Sequence, residues 1–236
     1  MPRSPLWTAI AGTLSTEIAE GHYRPGDRLP TEAELSVRFG VNRHTVRRAL
    51  ADMSQRGLLH VRRGSGAFVA AKPTNYSLGR RVRFHQNLAA SGQTAAREIL
   101  HLETRASNQR EAEALRLTQG DPVHVCEGIS LADGAPIAVF RSVFPAARLP
   151  NMPARLREHN SVTAALAAEG VPDYTRASTR LTAKVANPVQ AVHLRIAEGA
   201  PILRTVSINV DAEGVPVEFG RTWFAGDRVT LTVMPE

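Results

Sequence analysis

Over the first third of the chain the apolar positions repeat with the period of an α-helix. Trp7, Ile10, Leu14 and Ile18 lie three to four residues apart and predict an amphipathic helix over about residues 5–20, with Trp7 packed inward. Thr31 followed by Glu34 fits a capping box, which starts a helix at Glu32. Leu35 and Phe39 form its inner face and Gly40 stops it. Asn42 is placed to cap a further helix through its side-chain oxygen. Val46, Leu50 and Met53 line that helix inwardly, leaving Arg43, His44, Arg47 and Arg48 on the outer face. Gly57 closes it. Residues 58–61 and 67–69 then read as two strands around the basic, glycine-rich turn at residues 62–66. The second helix of such a pair has the width of the DNA major groove and carries hydrogen-bond donors at its leading end.

The rest of the chain reads as α+β. Helices are predicted over residues 83–91, 108–117, 161–169 and 189–196. Strands are predicted over residues 99–103, 121–131, 137–144, 176–185, 202–210 and 215–224. Consecutive hairpins turn around residues 132–135 and 211–214, so the sheet is expected to be largely antiparallel, with helices on one side. Residues 110–123 echo residues 188–202: a helix, a Gly-x-Pro step (Gly120 to Pro122, Gly199 to Pro201), then two strands. Two copies of one unit predict a pseudo-symmetric sheet with a ligand cleft between its halves. Lys72-Pro73 disfavours helix. The predicted division is a DNA-binding domain at 1–70, a linker at 71–76 and a second domain at 77–236.

Charge sharpens this division. The chain carries a formal +7 in 236 residues. Residues 1–73 hold 11 Lys/Arg against 6 Asp/Glu, whereas residues 74–236 hold 18 against 16. A basic module on a near-neutral body suits a polyanionic partner at one end. There is no apolar run of about 18 residues, no signal-peptide core and no long basic amphipathic helix, so a cytoplasmic protein with no membrane partner is expected. The single Cys126 forbids an internal disulfide and argues against a cysteine-built metal site.

The first domain resembles the winged helix-turn-helix of the GntR family of bacterial transcriptional regulators. The resemblance rests on Pro25-Gly26, Leu29-Pro30-Thr31-Glu32, Leu35, Phe39-Gly40-Val41-Asn42-Arg43, Thr45-Val46-Arg47, Ala49-Leu50 and Gly57-Leu58. It implies operator contacts from Thr31, Asn42, Arg43, His44, Thr45, Arg47 and Arg48, and from the wing residues Arg63, Gly64, Ser65 and Gly66. Many members carry a cation two residues after the Pro-Ser/Thr pair; here Glu32-Ala33-Glu34 implies no base contact from that helix. Residues 76–236 are similar to the effector-binding (UTRA) domain of the HutC subgroup, whose fold resembles chorismate lyase. That similarity rests on Gly120-Asp121-Pro122-Val123, on Asp133-Gly134-Ala135-Pro136-Ile137-Ala138, and on residues 214–219. A finer likeness, in residues 41–49, Arg83-Phe84, Gln86-Asn87-Leu88 and Thr179-Arg180, points to the phosphonate-utilisation branch (PhnF type). HutC-type regulators of sugar phosphates or histidine-pathway acids carry Arg-x-Arg on the strand before the first hairpin turn. Here that stretch is Gly128-Ile129-Ser130, without either arginine.

The resemblance implies a homodimeric repressor, bound to an inverted-repeat operator on double-stranded DNA and answering to a small-molecule effector, with no cofactor. For an anionic effector, phosphonate or phosphate-containing, the candidate residues are Arg83, Phe84 and His85 at a helix start, Ser161 and Thr163 at another, and Arg180 on a strand. Glu218 is the candidate for an amine on the same compound. Arg141 and Arg221 lie on strands nearby. Other readings are a HutC-type regulator of a sugar phosphate or small organic acid, a ligand-independent architectural DNA binder, and a lyase-like enzyme. For the last the chain offers no metal-ligand cluster, nucleophile elbow or phosphate loop.

Overall fold

The computed structural model describes residues 5–23, 25–62, 66–70, 73–81 and 83–233. They form two compact units, Met1–Lys72 and Pro73–Glu236. The first contains α1 (Leu6–Ala19), α2 (Glu32–Phe39), α3 (Arg43–Gln55) and the antiparallel pair β1 (Leu59–Arg62) and β2 (Gly66–Val69). Ile10, Leu14, Leu35, Val46, Leu50, Met53 and Leu59 make its buried core, and Trp7 packs against it. The capping box is present: the Glu34 amide donates to Thr31 Oγ1 (3.3 Å) and the Thr31 amide to the Glu34 carboxylate (2.7 Å). Gly40 turns the chain at φ 62°, a left-handed conformation that costs glycine nothing. Asn42 Oδ1 then accepts from the Thr45 amide at 2.8 Å and opens α3.

The second unit holds β3 (Thr74–Ser77), α4 (Phe84–Ala90), β4 (Ala95–Ala106), α5 (Gln109–Leu115), β5 (Pro122–Ala132) and β6 (Ala135–Pro145). There follow α6 (Met152–His159), α7 (Val162–Ala168), β7 (Thr175–Val185), α8 (Pro188–Leu194), β8 (Pro201–Val210), β9 (Pro216–Ala225) and β10 (Val229–Thr232). Six strands form one antiparallel sheet in the order β4-β5-β6-β9-β8-β7. The order is palindromic: β4-α5-β5-β6 and β7-α8-β8-β9 are the two copies, joined through β6 and β9.

Strand alternation divides the core. On β6, Phe140 and Phe144 pack with Leu156, Val162 and Leu166 of α6 and α7, while Val139 and Val143 pack with the clusters around α8 and α5. Helices therefore cover both faces, not one side as expected from the hairpin pattern. The predicted linker at 71–76 also needs correction. Thr74–Ser77 is a strand paired in parallel with β10, and Tyr76 is buried against Phe224 with ring centroids 5.2 Å apart. This pairing joins the two ends of the second unit, so no local pattern announces it.

Gly128 on β5 shows how tightly the sheet packs. A Cβ there would lie 2.3 Å from the Glu98 carbonyl oxygen and 2.7 Å from Phe140 Cζ. Gly128→Ala is expected to destabilise the protein by about 1–3 kcal/mol, as overpacked core substitutions do. Equilibrium denaturation measures this, and an unchanged midpoint would contradict the packing described.

Candidate DNA interface and effector cavity

On the first unit, α3 presents Arg43, His44, Arg47 and Arg48, all exposed. Their environments differ. Arg47 makes a two-pronged contact with Glu32 of α2, Nε to Oε1 at 3.0 Å and Nη2 to Oε2 at 2.7 Å. The Arg47 hydrogen bond, above all, holds the Glu32 carboxyl below its usual pKa. Both partners are solvated, so the pair adds little stability; its effect is to fix where the Arg47 fork sits. Arg48 is stacked over the Trp7 indole, 4.9 Å from the ring centroid. Asn42 and Thr31 act as helix caps, and Thr45 Oγ1 donates to Asn42 Oδ1 at 2.9 Å. Of the wing, Arg63, Gly64 and Ser65 lie outside the described residues. Gly66 is described, and a Cβ on it would lie 2.9 Å from Arg28 Nε. Arg28 thus brings a cation to the base of the wing that sequence reasoning missed.

On the second unit, one small cavity lies over the face of the sheet that carries Phe140, roofed by α4 and the start of α7. It is lined by Phe84, His85, Ser161, Thr163 and Glu218 from among the expected residues, and by Arg97, Arg176, Ser142, Asn209 and Tyr174 besides. About 60 Å³ of it is open to water-sized groups. Its floor is a hydrogen-bonded row across four strands. Arg176 Nε donates to Asn209 Oδ1 (3.1 Å), Asn209 Nδ2 to Glu218 Oε2 (2.6 Å) and Ser142 Oγ to Glu218 Oε1 (2.5 Å). Glu218 is buried, and among the described residues it makes no ion pair. Arg97 is held between Phe84 and Phe140, 4.9 and 4.8 Å from their ring centroids, and its buried Nε has no hydrogen-bond partner. Partial desolvation, and then the Arg97 charge, push the His85 imidazole below its ordinary pKa, leaving it neutral near pH 7. Ser161 Oγ accepts from the Ala164 amide (3.3 Å), and Thr163 Oγ1 shares a hydrogen bond with Tyr174 Oη (2.9 Å).

Two expected residues are elsewhere. Arg83 is buried, but its guanidinium stacks on Tyr174 at 3.4 Å and donates to Asp173 Oδ1 (2.9 Å) and the Tyr174 carbonyl (2.8 Å), so it braces the cavity wall from outside. Arg180 points from the opposite face of the sheet. The cause is a bulge on β7: Arg176 pairs with Asn209 but Ser178 pairs with Ile208, and one inserted residue reverses the facing of all that follows. The cations that do reach the cavity are Arg97 and Arg176. The internal repeat held the signal for them. The offset that superposes Pro122 on Pro201 also superposes Arg97 on Arg176, and their cross-strand partners Ser130 and Asn209 on each other. At the β5 positions where an Arg-x-Arg pair is expected of a regulator of sugar phosphates or histidine-pathway acids, this chain has Gly128 and Ser130, and the guanidinium comes from the neighbouring strand β4, directly across from Ser130.

A winged helix-turn-helix with a basic outer face, joined in sequence to a domain folded around a polar cavity, defines a ligand-responsive DNA-binding regulator. Residues 6–69 match the bacterial regulatory proteins of the gntR family, and residues 90–230 match the UTRA domain. The chain belongs to the GntR family of transcriptional regulators, in its UTRA-containing, HutC-type branch. It is 38% identical over 230 residues to an uncharacterized HTH-type transcriptional regulator of Rhizobium meliloti (strain 1021), covering 97% of this chain and 94% of that protein. It is 31% identical over 226 residues to the probable transcriptional regulator PhnF of Escherichia coli (strain K12), covering 95% and 92%. The crystal structure of PhnF from Mycobacterium smegmatis superposes with a TM-score of 0.66 at 26% identity, covering 96% of this chain and 99% of that one. These relatives are regulators, not enzymes. Among the described residues, no helix is long and apolar enough to cross a membrane.

Arg43 and Arg47 share a face of α3 one turn apart. Arg47→Ala is expected to weaken specific operator binding by about 1–3 kcal/mol, with the unfolding midpoint nearly unchanged. Fluorescence anisotropy on an operator recovered by in vitro selection reads the effect; unaltered affinity in the folded variant removes Arg47 from the interface.

Proposed function

We propose that this protein is a homodimeric repressor of phosphonate uptake or metabolism genes, and that it leaves an inverted-repeat operator when a small phosphonate bearing an amine fills the Arg97–Arg176–Glu218 cavity. The observation that carries the ligand class is the charge arrangement. Arg97 and Arg176 offer guanidinium donors to an oxyanion, which they can grip through paired N–H groups. Glu218 is held by the neutral donors Ser142 and Asn209 and makes no ion pair among the described residues, so its carboxylate can accept from an ammonium group. A compound with an anionic head and an ammonium group satisfies both. The open volume is small, about 60 Å³, so the walls must give to admit any such compound, and less for a compact aminoalkylphosphonate than for a sugar phosphate. The likeness to the PhnF proteins supports the same pathway.

Dimerisation follows from reading length. One recognition helix covers a few base pairs, and adequate specificity needs two half-sites in fixed register. The effector then works by binding one arrangement of the dimer better than the other. On this reading the DNA-facing residues are Arg43, His44, Arg47 and the wing, with Asn42 and Thr45 shaping the start of α3.

Thermal-shift titrations of 2-aminoethylphosphonate, methylphosphonate, inorganic phosphate and a neutral sugar check this. The aminophosphonate is expected to stabilise the protein most, Arg97→Ala to abolish the response, and Glu218→Gln to erase the preference for the amine. Stabilisation by the neutral sugar alone, or a full response in Arg97→Ala, would contradict it.

A further inference from the structure

The face of the sheet away from this cavity gathers arginines that the effector reading does not use. One rung, followed from β7 to β5, reads Arg180, Val206, Arg221, Arg141, Glu127, each directly across from the next. Arg204 lies on the same face of β8, two residues from Val206, and α5 adds Arg110 above. Like charges directly across a ladder repel, and Arg141 faces Arg221 at the centre of the sheet. Of the carboxylates at hand, Glu113 is exposed on α5 and accepts a hydrogen bond from Gln109 at 2.9 Å, while Glu111 and Glu127 are engaged by arginines. Glu111 accepts two hydrogen bonds from Arg105 at 2.8 Å each, with Arg141 reaching it at 3.6 Å and Glu127 at 3.4 Å. Among the described residues, Arg110, Arg180, Arg204 and Arg221 make no ion pair, and the buried Nε of Arg204 has no hydrogen-bond partner. Burial, and then repulsion from Arg110, Arg141 and Arg204, lower the Arg221 pKa. Beside the rung is a hollow of about 260 Å³ whose polar lining is Arg110, Ser178, Arg180 and one carboxylate, Glu113 of α5, over an apolar floor of Val206 and Phe219. The arrangement follows the internal repeat: the offset that superposes Gly134 on Gly214 superposes Arg141 on Arg221.

We infer that this rung and hollow form a second anion site, which takes a compact polyanion of the phosphate or polycarboxylate class through Arg110, Arg180 and Arg221. It is distinct from the effector cavity, because the two lie on opposite faces of the sheet, and β9 serves both: Glu218 points to one and Phe219 to the other. The site does not depend on what fills the Arg97 cavity.

The test is calorimetric titration of the full-length protein with inorganic pyrophosphate, and in parallel with citrate, at low ionic strength. Binding is expected in the wild type and in Arg97→Gln. It should weaken tenfold or more in Arg180→Gln, whose side chain is exposed, and in Arg221→Gln, which should also unfold at the same or a higher temperature than wild type without anion. Unchanged binding in both Arg180→Gln and Arg221→Gln, or binding lost in Arg97→Gln alone, overturns the inference. So does equal stabilisation by sodium chloride at matched ionic strength, which marks general screening. So does absence of pyrophosphate binding with a melting temperature that instead rises with protein concentration, which marks a second copy over the rung.

Discussion

The pairing of β6 with β9 is the constraint on which the effector-domain chemistry depends. It joins the two copies of the repeated unit into one sheet and fixes, residue by residue, which side chains share a face. Ser142 lies across from Gly220, which brings the Ser142 hydroxyl to the Glu218 carboxylate on the cavity side. One residue along, Arg141 lies across from Arg221 on the other side. A slip of one position would exchange the two faces, placing arginines on the cavity floor and the polar row under α5 and α8. The packing opposes such a slip, because Phe140 and Phe144 on one face and Val139 and Val143 on the other each fill a separate buried cluster.

The DNA-binding unit depends on a different economy of charge. Its recognition helix is basic, but two of its arginines are already oriented within the unit, Arg47 by Glu32 and Arg48 by Trp7. Orienting a long side chain before binding removes part of the entropy it would lose on contact. Arg43 and His44 make no such contact among the described residues and remain free to adapt. Glu32, at the start of α2 where no DNA-facing cation stands, thereby acquires a role in aiming Arg47 on α3.

Much of this was legible in the sequence. Caps and stops located α2 and α3 closely, because Thr31, Glu34, Gly40 and Asn42 act through local hydrogen bonds that their spacing predicts. The duplicated Gly-x-Pro steps showed the two-fold sheet. What stayed hidden was non-local. The β3–β10 pair joins distant segments, and α6 carries Pro153 in its first turn with few inward residues, so neither presents a readable period. Arg180 and Arg176 are four residues apart and look equivalent on an ideal strand; the bulge between them decides which reaches the cavity. Arg97 lay just ahead of the stretch first read as a strand, and β4 in fact begins at Ala95. Arg83 was right in placement at the head of α4 but is occupied by Asp173, a partner ninety residues on.

The central claim is that occupancy of the Arg97 cavity by an amine-bearing phosphonate releases DNA. Anisotropy of a labelled operator, titrated with 2-aminoethylphosphonate, measures that coupling directly. The account predicts that the compound lowers operator affinity for the wild type and leaves Arg97→Ala bound as before. Equal release from both proteins, or operator affinity unaffected in the wild type by a compound shown to bind it, would contradict the account.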